Sequence, residues 1–384
     1  MLSLETGERQ TLIEGGTYAR YVPSGHVVYA RAGGLLAVPF DLKRLKVTGP
    51  PVPVLEGVTM TPLTGAAEFG ASADSSFAYV PGAETGVGTL LWVDRKGAPQ
   101  SLPAPPRGYW SPRLSPDGQR VALGIVGPNP GVWLYELARG TLTRLMEVSG
   151  NVTWPIWTPD GKRLTFPSVA GGAMDLYWVS ADGSGAPERL TPGEIYQWPG
   201  SWSPDGQTLA FSRSSPSTGS DIWVLNLKGE RKPQPFLQTP ANESGGMFSP
   251  DGRWLAYESD ESARWEVYVQ PFPGPGGKVQ ISTEGGVEPV WARNGRELFY
   301  RNGDKMMVAA VETKPTFAAA KPKLLFERHY EASPQPFLAK YDVSPDGQRF
   351  LVVKASEQEQ GATQINVVLN WFEELKRRVP TGKK

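Results

Sequence analysis

The chain has 384 residues with 39 basic and 39 acidic side chains, so no general electrostatic attraction to nucleic acid or an anionic membrane is expected. Cysteine is absent, which excludes disulfides, thiolate catalysis and cysteine-ligated metals. Glycine (44) and proline (37) are abundant beside 13 Trp, 13 Tyr and 14 Phe, which favours a turn-rich all-β fold with an aromatic core.

The chain begins with a segment that predicts strands but no complete repeat. Residues 2–12 predict the end of one strand, a turn at Gly7 and a further strand, with no earlier strands before them. The segment can therefore complete a sheet that is formed elsewhere in the chain. Truncation of a longer protein is the alternative explanation.

A turn phrase then recurs along the chain. A hydrophobic residue followed by Ser or Thr, Pro, Asp and Gly occurs five times, and weaker copies end at Gly25, Ser75 and Gly295. Successive copies lie 43 to 52 residues apart, close to the length of a four-stranded propeller blade. Proline presets φ, Asp tolerates the next position and Gly takes the left-handed geometry, so each copy predicts a hairpin turn. The predicted turn residues are Asp117, Gly118, Asp160, Gly161, Asp205, Gly206, Asp251, Gly252, Asp346 and Gly347.

Further strands are predicted after each turn. A β-rich run such as residues 208–211 forms the second strand, and a run such as residues 221–225 forms the third. A glycine turn and a more polar strand, for example residues 141–145, complete the repeat, and this polar strand suits a solvent-facing edge. Each repeat therefore predicts one antiparallel four-stranded sheet.

The last repeat predicts a different ending. Residues 350–353 and 365–369 predict its second and third strands, and residues 371–378 predict a short helix within a basic tail at 371–384. Because this repeat lacks a fourth strand, we expect the N-terminal strand to close the last blade. Such closure would remove the free sheet edges that promote aggregation.

The turn phrase, its strands and the later Asp-Gly or Lys-Gly turn together resemble the TolB, or PD40, propeller repeat over nearly the whole chain. Residues 21–29, 38–41 and 368–371 also resemble the C-terminal propellers of bacterial transmembrane serine/threonine kinases. The resemblance implies an all-β fold, with residues 1–384 as a single β-propeller of four-stranded antiparallel blades. Eight blades are predicted, with seven as the alternative.

Few side chains in the sequence are of the types and spacings that indicate catalysis. The motif aspartates fit turns, and in a ring they would stand about one blade apart, too far for a shared metal or a paired-carboxylate mechanism. The two histidines are His26 and His329, and we find neither a hydrolase elbow nor a nucleotide-binding fingerprint. We therefore predict no catalytic residue, no metal and no cofactor.

Residues just before each first strand are better candidates for binding, because this part of a propeller faces the central funnel. Aromatic residues from three successive blades gather there, and acidic residues hold similar positions in later blades. The predicted binding residues are Tyr109, Trp110, Trp154, Tyr196, Trp198, Glu243 and Glu288. Plugging of the channel is the alternative role of the rings. The aromatic residues directly before the turns are expected to pack between blades instead: Trp157, Trp202, Phe248 and Trp291.

These observations predict a non-catalytic propeller that binds a protein or peptide. The resemblance implies the sensor or scaffold portion of a larger receptor on the periplasmic or extracytoplasmic side, with a cytoplasmic location as the alternative. A glycan-active or other hydrolase or lyase that uses Glu243 and Glu288 is the competing function, and a structural assembly module is the third. No nucleic-acid partner and no membrane insertion by this segment are expected.

Overall fold

The computed structural model describes residues 1, 6–31, 34–61, 66–82, 87–126, 129–148, 154–169, 174–193, 195–330, 339–355 and 364–381. The chain divides into two compact units. We call Gly88–Ala355 the ring unit, and Met1–Val87 together with Ser356–Lys384 the terminal unit.

The terminal unit contains the first strands of the chain. They are β1 (Thr17–Val22), β2 (His26–Arg31), β3 (Gly34–Asp41), β4 (Lys46–Val47), β5 (Val52–Glu56), β6 (Met60–Thr61), β7 (Ala66–Ala67), β8 (Phe69–Ala71) and β9 (Phe77–Tyr79). Strands β1 to β5 form one antiparallel sheet, and β6 pairs with β7.

The ring unit follows, and its strands build six antiparallel sheets. It opens with β10 (Gly88–Asp94) and β11 (Pro99–Ser101). Blade 1 contains β12 (Gly108–Leu114), β13 (Arg120–Val126), β14 (Gly131–Glu136) and β15 (Thr141–Glu147). Blade 2 contains β16 (Ile156–Trp157), β17 (Arg163–Ser168), β18 (Asp175–Ser180) and β19 (Glu188–Arg189). Blade 3 contains β20 (Gln197–Trp202), β21 (Thr208–Ser215), β22 (Gly219–Asn226) and β23 (Pro233–Leu237).

The remaining blades repeat this meander. Blade 4 contains β24 (Glu243–Phe248), β25 (Trp254–Ser259), β26 (Glu266–Pro271) and β27 (Val279–Gln280). Blade 5 contains β28 (Val287–Trp291), β29 (Glu297–Asn302), β30 (Lys305–Glu312), β31 (Ala318–Ala319) and β32 (Lys323–Glu327). Blade 6 contains β33 (Tyr341–Val343) and β34 (Arg349–Ala355), and β10 and β11 complete it in the order β33-β34-β10-β11.

The chain ends in the terminal unit with β35 (Asn366–Val368) and the helix α1 (Trp371–Arg378). Strand β35 pairs with β9, and the ring of Trp371 stacks on Phe77 with 4.1 Å between ring centroids. Three apolar residues of α1, among them Trp371 and Leu375, are buried in the core of this unit. The helix lies at the residues for which the sequence predicts one.

Indole groups join the blades of the ring unit. Three tryptophans that directly precede the turns donate their Nε1–H to the preceding blade, as their repetition at one motif position predicts. The bonds run from Trp157 to Arg113 O (2.9 Å), from Trp202 to Thr165 Oγ1 (3.0 Å) and from Trp291 to Met247 O (3.0 Å). At the equivalent position blade 4 has Phe248, whose backbone N–H donates to Ser201 Oγ at 2.8 Å.

The two junctions of blade 6 complete the ring. Tyr341 Oη donates to Glu288 O of blade 5 at 3.0 Å, and Leu114 N of blade 1 donates to Asp342 Oδ2 at 2.7 Å. The first strands of neighbouring blades also contact one another around the whole circuit. The six sheets therefore form a closed ring in which the first strands are innermost.

Closure uses a different segment from the one that the sequence suggested. All seven residues of β10 pair with β34, from Gly88↔Ala355 to Asp94↔Arg349, so β10 is the third strand of the last motif's blade. Residues 365–369, expected in that place, lie in the terminal unit. The reason is burial: β10 has Leu90 and Val93 fully buried, whereas Val367 is 60% exposed beside β9. Residues 2–5 of the expected closing segment lie outside the described residues.

The turn motif has one geometry throughout the ring unit. The motif glycines have φ between +67° and +72°, and the motif Asp accepts a hydrogen bond from the backbone N–H two residues later, as in Asp205 with Gln207 at 3.0 Å. At five of the six junctions between blades, the motif glycine also lies against the motif proline of the preceding blade. At the junction of blades 5 and 6 the proline is replaced by Arg293, and Arg95 joins Glu297 at 2.7 Å and Gly347 O at 3.0 Å.

The described residues confirm the all-β propeller of antiparallel, mostly four-stranded blades. Each of the eight predicted turns joins the first two strands of a different sheet, and each of these sheets has at least three strands. Six of the sheets belong to the ring unit and two to the terminal unit. The predicted number of repeats is therefore consistent with the described structure.

Candidate functional site

The two ends of the ring differ in chemistry. First strands begin at one end, which we call the funnel end, and run to the turn motifs at the other, which we call the turn end. The funnel end carries the residues that the sequence selects for binding. The structure separates them into four partly or fully exposed aromatic groups, the buried Tyr109 and two buried carboxyl groups.

Trp110 and Trp154 form an aromatic pair at the funnel end. They come from blades 1 and 2, both are partly buried, and their ring centroids lie 6.0 Å apart in an edge-to-face arrangement. The ammonium group of Lys340, from blade 6, lies 4.1 Å from the centroid of the Trp110 ring. This cation–π contact joins blade 6 to blade 1, whose residues are distant in sequence.

Tyr196 and Trp198 form a second aromatic pair, at the start of blade 3. Their rings stack with centroids 6.2 Å apart, and Tyr196 is 60% exposed. A tyrosine this exposed leaves most of its ring available to a partner. We call Trp110, Trp154, Tyr196 and Trp198 the aromatic arc.

Tyr109 does not belong to this surface, although the sequence places it there. It is fully buried in the core between blades 6 and 1, and its hydroxyl donates to Pro105 O. Burial raises its pKa to about 12, because the phenolate would be desolvated. The cause is strand alternation: Trp110, the next residue, faces the other side of the sheet.

Glu243 is also internal. It is 1% exposed, its Oε1 accepts a hydrogen bond from Thr239, and its Oε2 has no hydrogen-bond partner among the described residues. Burial raises the pKa of Glu243, and the nearby negative charge of Asp221 adds to the increase. The Oδ1 atom of Asp221 is likewise buried without a described partner.

Glu288 lies at the junction of blades 4, 5 and 6. Its side chain is 2% exposed and accepts a hydrogen bond from Lys340 N at 3.1 Å, and its backbone N–H donates to Glu258 Oε2 at 2.7 Å. Its φ is +59°, an uncommon value for a residue other than glycine. The neighbouring contacts therefore hold Glu288 in a conformation that it does not favour by itself.

Glu258 is a functional candidate that sequence reasoning missed. It is fully buried and accepts hydrogen bonds from Ser244 Oγ and from the Glu288 backbone. Burial raises the pKa of Glu258 to about 8, and the charge of Glu288 contributes. The available signal was a glutamate at a position of β25 where the other second strands of the ring unit have Gly124, Pro167, Ser212, Arg301 or Val353.

The described residues contain no cluster of three or more His, Cys, Asp or Glu arranged to hold a metal ion. No helix in the described part of the chain is long and apolar enough to cross a membrane. The motif aspartates are engaged in their own turns: Asp117, Asp160, Asp205, Asp251 and Asp346 each accept from the hydroxyl of the motif Ser or Thr.

Two curated bacterial proteins are similar in sequence to part of the chain. An uncharacterized protein of Agrobacterium fabrum is 28% identical over 204 residues, which are 49% of this chain and 67% of the relative. An uncharacterized peptidase of Bacillus subtilis is 29% identical over 206 residues, 41% of this chain but only 31% of the relative. The chain thus spans less than a third of that peptidase.

A solved structure and a family model agree with the observed fold. A TolB structure from Agrobacterium tumefaciens superposes with a TM-score of 0.57 at 17% identity, covering 70% of this chain and 98% of the other, which shows a shared fold. The family model described as the TolB beta propeller domain, PD40, matches residues 104–217 and 196–365, which is more than half of the chain. The chain therefore belongs to the TolB β-propeller family.

Proposed function

We propose that this chain is a non-catalytic propeller that binds a protein or peptide through the aromatic arc. The observation that supports this most directly is the Trp110–Trp154 pair, in which two partly buried indoles from adjacent blades meet at the funnel end. Tryptophan and tyrosine are the residues that most often dominate binding energy at protein interfaces. Trp110 lies on the innermost strand β12 and Trp154 lies two residues before β16, so both indoles are next to rigid elements.

The chemistry of the arc favours a partner with apolar or aromatic side chains. Tyr196 and the Trp110–Trp154 pair offer apolar faces, whereas the carboxyl groups of Glu243 and Glu288 are buried and engaged with the protein. Attraction of a cationic partner by Glu243 and Glu288 is therefore not part of this proposal. We further propose that the chain serves as a sensor or scaffold portion of a larger receptor on the extracytoplasmic side, in line with its resemblance to receptor-kinase propellers.

Site-specific photocrosslinking tests this function. A benzophenone amino acid at Tyr196 should capture a discrete partner in cells, because this side chain is 60% exposed beside Trp198. The matched control is the same amino acid at Leu324, which is 51% exposed on the outer strand β32. An adduct at 324 with none at 196 would reject the aromatic arc as the binding surface.

A glycan-active hydrolase or lyase is the second proposal, and the Glu258–Glu288 neighbourhood favours it. A carboxyl with a pKa of about 8 is protonated at neutral pH, as a general acid must be. Both side chains are nevertheless buried. A screen of polysaccharides and peptides tests this alternative. Turnover of one of them by the wild type, lost in the Glu288→Gln variant, would establish it.

A further inference from the structure

A series of contacts connects a buried carboxyl group of blade 4 to the aromatic arc. The backbone N–H of Glu288 donates to Glu258 Oε2 at 2.7 Å, and Lys340 N donates to Glu288 Oε2 at 3.1 Å. The ammonium group of Lys340 then lies 4.1 Å from the centroid of the Trp110 ring. Each contact crosses one junction, from blade 4 to 5, from 5 to 6 and from 6 to 1. We call Glu258, Glu288 and Lys340 the relay.

The relay is enclosed by protein. Glu258 is 0% exposed, Glu288 2% and Lys340 5%. Closely packed groups pass a displacement on to their neighbours, because a protein interior has few voids that absorb it. The cation–π contact attaches the last member of the relay to Trp110, and such contacts are stronger when the cation is desolvated. A movement of Glu288 therefore acts on the Trp110 ring through Lys340.

Glu288 is the strained member of the relay. Its φ is +59°, and the equivalent residue of blade 4 is Gly245, whose φ of +67° carries no steric cost for a glycine. The repeat thus accommodates glycine here, whereas blade 5 has a glutamate that accepts a hydrogen bond from Lys340 N. A residue held in such a conformation depends on its surrounding contacts to stay there. A change in those contacts therefore displaces Glu288 more easily than a relaxed residue.

Ionisation of Glu258 changes the charge beside Glu288. Burial raises the pKa of Glu258 to about 8, and the negative charge of Glu288 adds to the increase. The hydroxyl of Ser244 also faces Glu258, at 3.1 Å. The other charged or titratable groups around Glu288 come from three neighbouring strands: Arg113 on β12, Arg301 on β29, and Tyr341 and Asp342 on β33. When Glu258 is ionised, two carboxylates in one buried contact repel each other.

We propose that the relay is a pH-responsive device that sets the position of Trp110 in the aromatic arc. Ionisation of Glu258 displaces Glu288, and Lys340 moves with it, which alters the cation–π contact. The two glutamates act through Lys340, so they are positioning residues for the arc. At alkaline pH the Trp110–Trp154 pair loses its arrangement, and the arc binds its partner more weakly. This regulation rests on the proposed binding function, whereas the relay itself is tested without a partner.

Fluorine NMR of the full chain labelled with 5-fluorotryptophan tests the relay. The signal that disappears in Trp110→Phe belongs to Trp110, and Trp371, in the core of the terminal unit, is assigned in the same way as a reference. Between pH 6 and pH 9 the Trp110 signal should move with a midpoint near pH 8, and the Trp371 signal should not follow it. Cysteine is absent and the two histidines ordinarily titrate lower, so few other side chains titrate in this range.

Variants identify the groups that move the ring. Glu258→Gln keeps an acceptor for Glu288 N and should abolish the movement, whereas Glu230→Gln, at an exposed position, should leave it unchanged. Glu288→Gln keeps an acceptor for Lys340 N but removes a negative charge, so both the midpoint and the amplitude should fall. Lys340→Gln should abolish the movement of the Trp110 signal, and Lys340→Arg, which keeps a cation, should retain it.

Carbon NMR of glutamate carboxyl groups shows independently when Glu258 ionises, with its signal assigned by the loss in Glu258→Gln. Ionisation of Glu258 beside a stationary Trp110 signal would overturn the proposal. The same holds for no ionisation of Glu258 up to pH 9, or for an unchanged Trp110 titration in folded Glu258→Gln or Lys340→Gln. A failure to capture any partner at the arc would instead contradict the binding function and leave the NMR result in place.

Discussion

Buried carboxyl groups dominate the residue scale of this protein. Glu243, Glu258 and Glu288 are all at most 2% exposed, although the first and last appear in the sequence as candidates for a solvent-facing funnel. Glu258 and Glu288 each accept a hydrogen bond from the backbone of the next blade, from Glu288 N and Lys340 N respectively, whereas Glu243 accepts one from nearby Thr239. Sequence spacing selected Glu243 and Glu288 but could not show their burial, because burial depends on how the strands of neighbouring blades pack.

Glu258 should make stability depend on pH. Its pKa rises from an ordinary 4.5 to about 8 in the folded protein, so the folded state binds the proton more tightly. This stabilising contribution is complete below pH 4.5 and is lost as pH rises to about 8. Glu258→Gln keeps an acceptor for Glu288 N, so its free energy of unfolding should fall less over this range, by up to about 1.4 kcal/mol per pH unit.

Urea unfolding at pH 5, 6, 7 and 8 measures this difference. Glu230→Gln is the control, because Glu230 is exposed on the surface. Parallel pH profiles for the wild type and Glu258→Gln would show that this carboxyl is not the titrating group.

Replacing Glu243 with glutamine should stabilise the folded protein. In blade 3 the equivalent residue is Gln197, whose Nε2 donates to Asp175 Oδ1 at 3.4 Å, whereas Glu243 next to Asp221 leaves one buried oxygen on each without a described partner. Because burial raises the pKa of Glu243, stability is lost as pH rises above the ordinary value of 4.5. Glu243→Gln should therefore gain about 1–2 kcal/mol at neutral pH by supplying a donor to Asp221.

The reciprocal change is the control. Gln197→Glu should lose a similar amount, since it places a second carboxyl group beside Asp175. Thermal unfolding at pH 7.5 compares the two variants with the wild type. A destabilised Glu243→Gln would contradict this interpretation of the pair.

At the scale of the elements, the tryptophans before three of the turns each join neighbouring blades by one hydrogen bond. Trp202→Phe should cost about 1 kcal/mol beyond the loss of ring volume, because Thr165 Oγ1 loses its indole donor. Trp223→Phe is the control, since the Nε1 of Trp223 has no described partner. Chemical denaturation measures both, and equal costs would show that the indole hydrogen bond contributes nothing.

Local chemistry explains why the turns and strands could be predicted, and nonlocal pairing explains why closure could not. Pro-Asp-Gly specifies a turn wherever it lies, so the motif residues have the expected backbone geometry. The third strand of blade 6 is chosen between two runs at opposite ends of the chain. Only the two-sided burial of Leu90 and Val93 decides in favour of β10.

At the scale of the whole molecule, the ring unit should fold only with its closing strands. A fragment that spans 88–355 contains all six blades, whereas one that starts at 102 lacks β10 and β11 and leaves β34 with an open edge. We expect the first to unfold cooperatively and the second to aggregate or remain unfolded. Circular dichroism and size-exclusion chromatography distinguish these outcomes, and a stable 102–355 fragment would contradict closure by β10.

The aromatic arc is the feature on which the proposed function depends. Once photocrosslinking identifies a partner peptide, its affinity for Trp154→Ala, measured by calorimetry, tests that function most directly. We expect a loss of at least ~10-fold, because central aromatic residues commonly contribute about 2 kcal/mol or more. Tyr21→Ala, at a 44% exposed tyrosine of the terminal unit, should bind as the wild type does. Unchanged affinity in a folded Trp154→Ala would contradict binding at the aromatic arc.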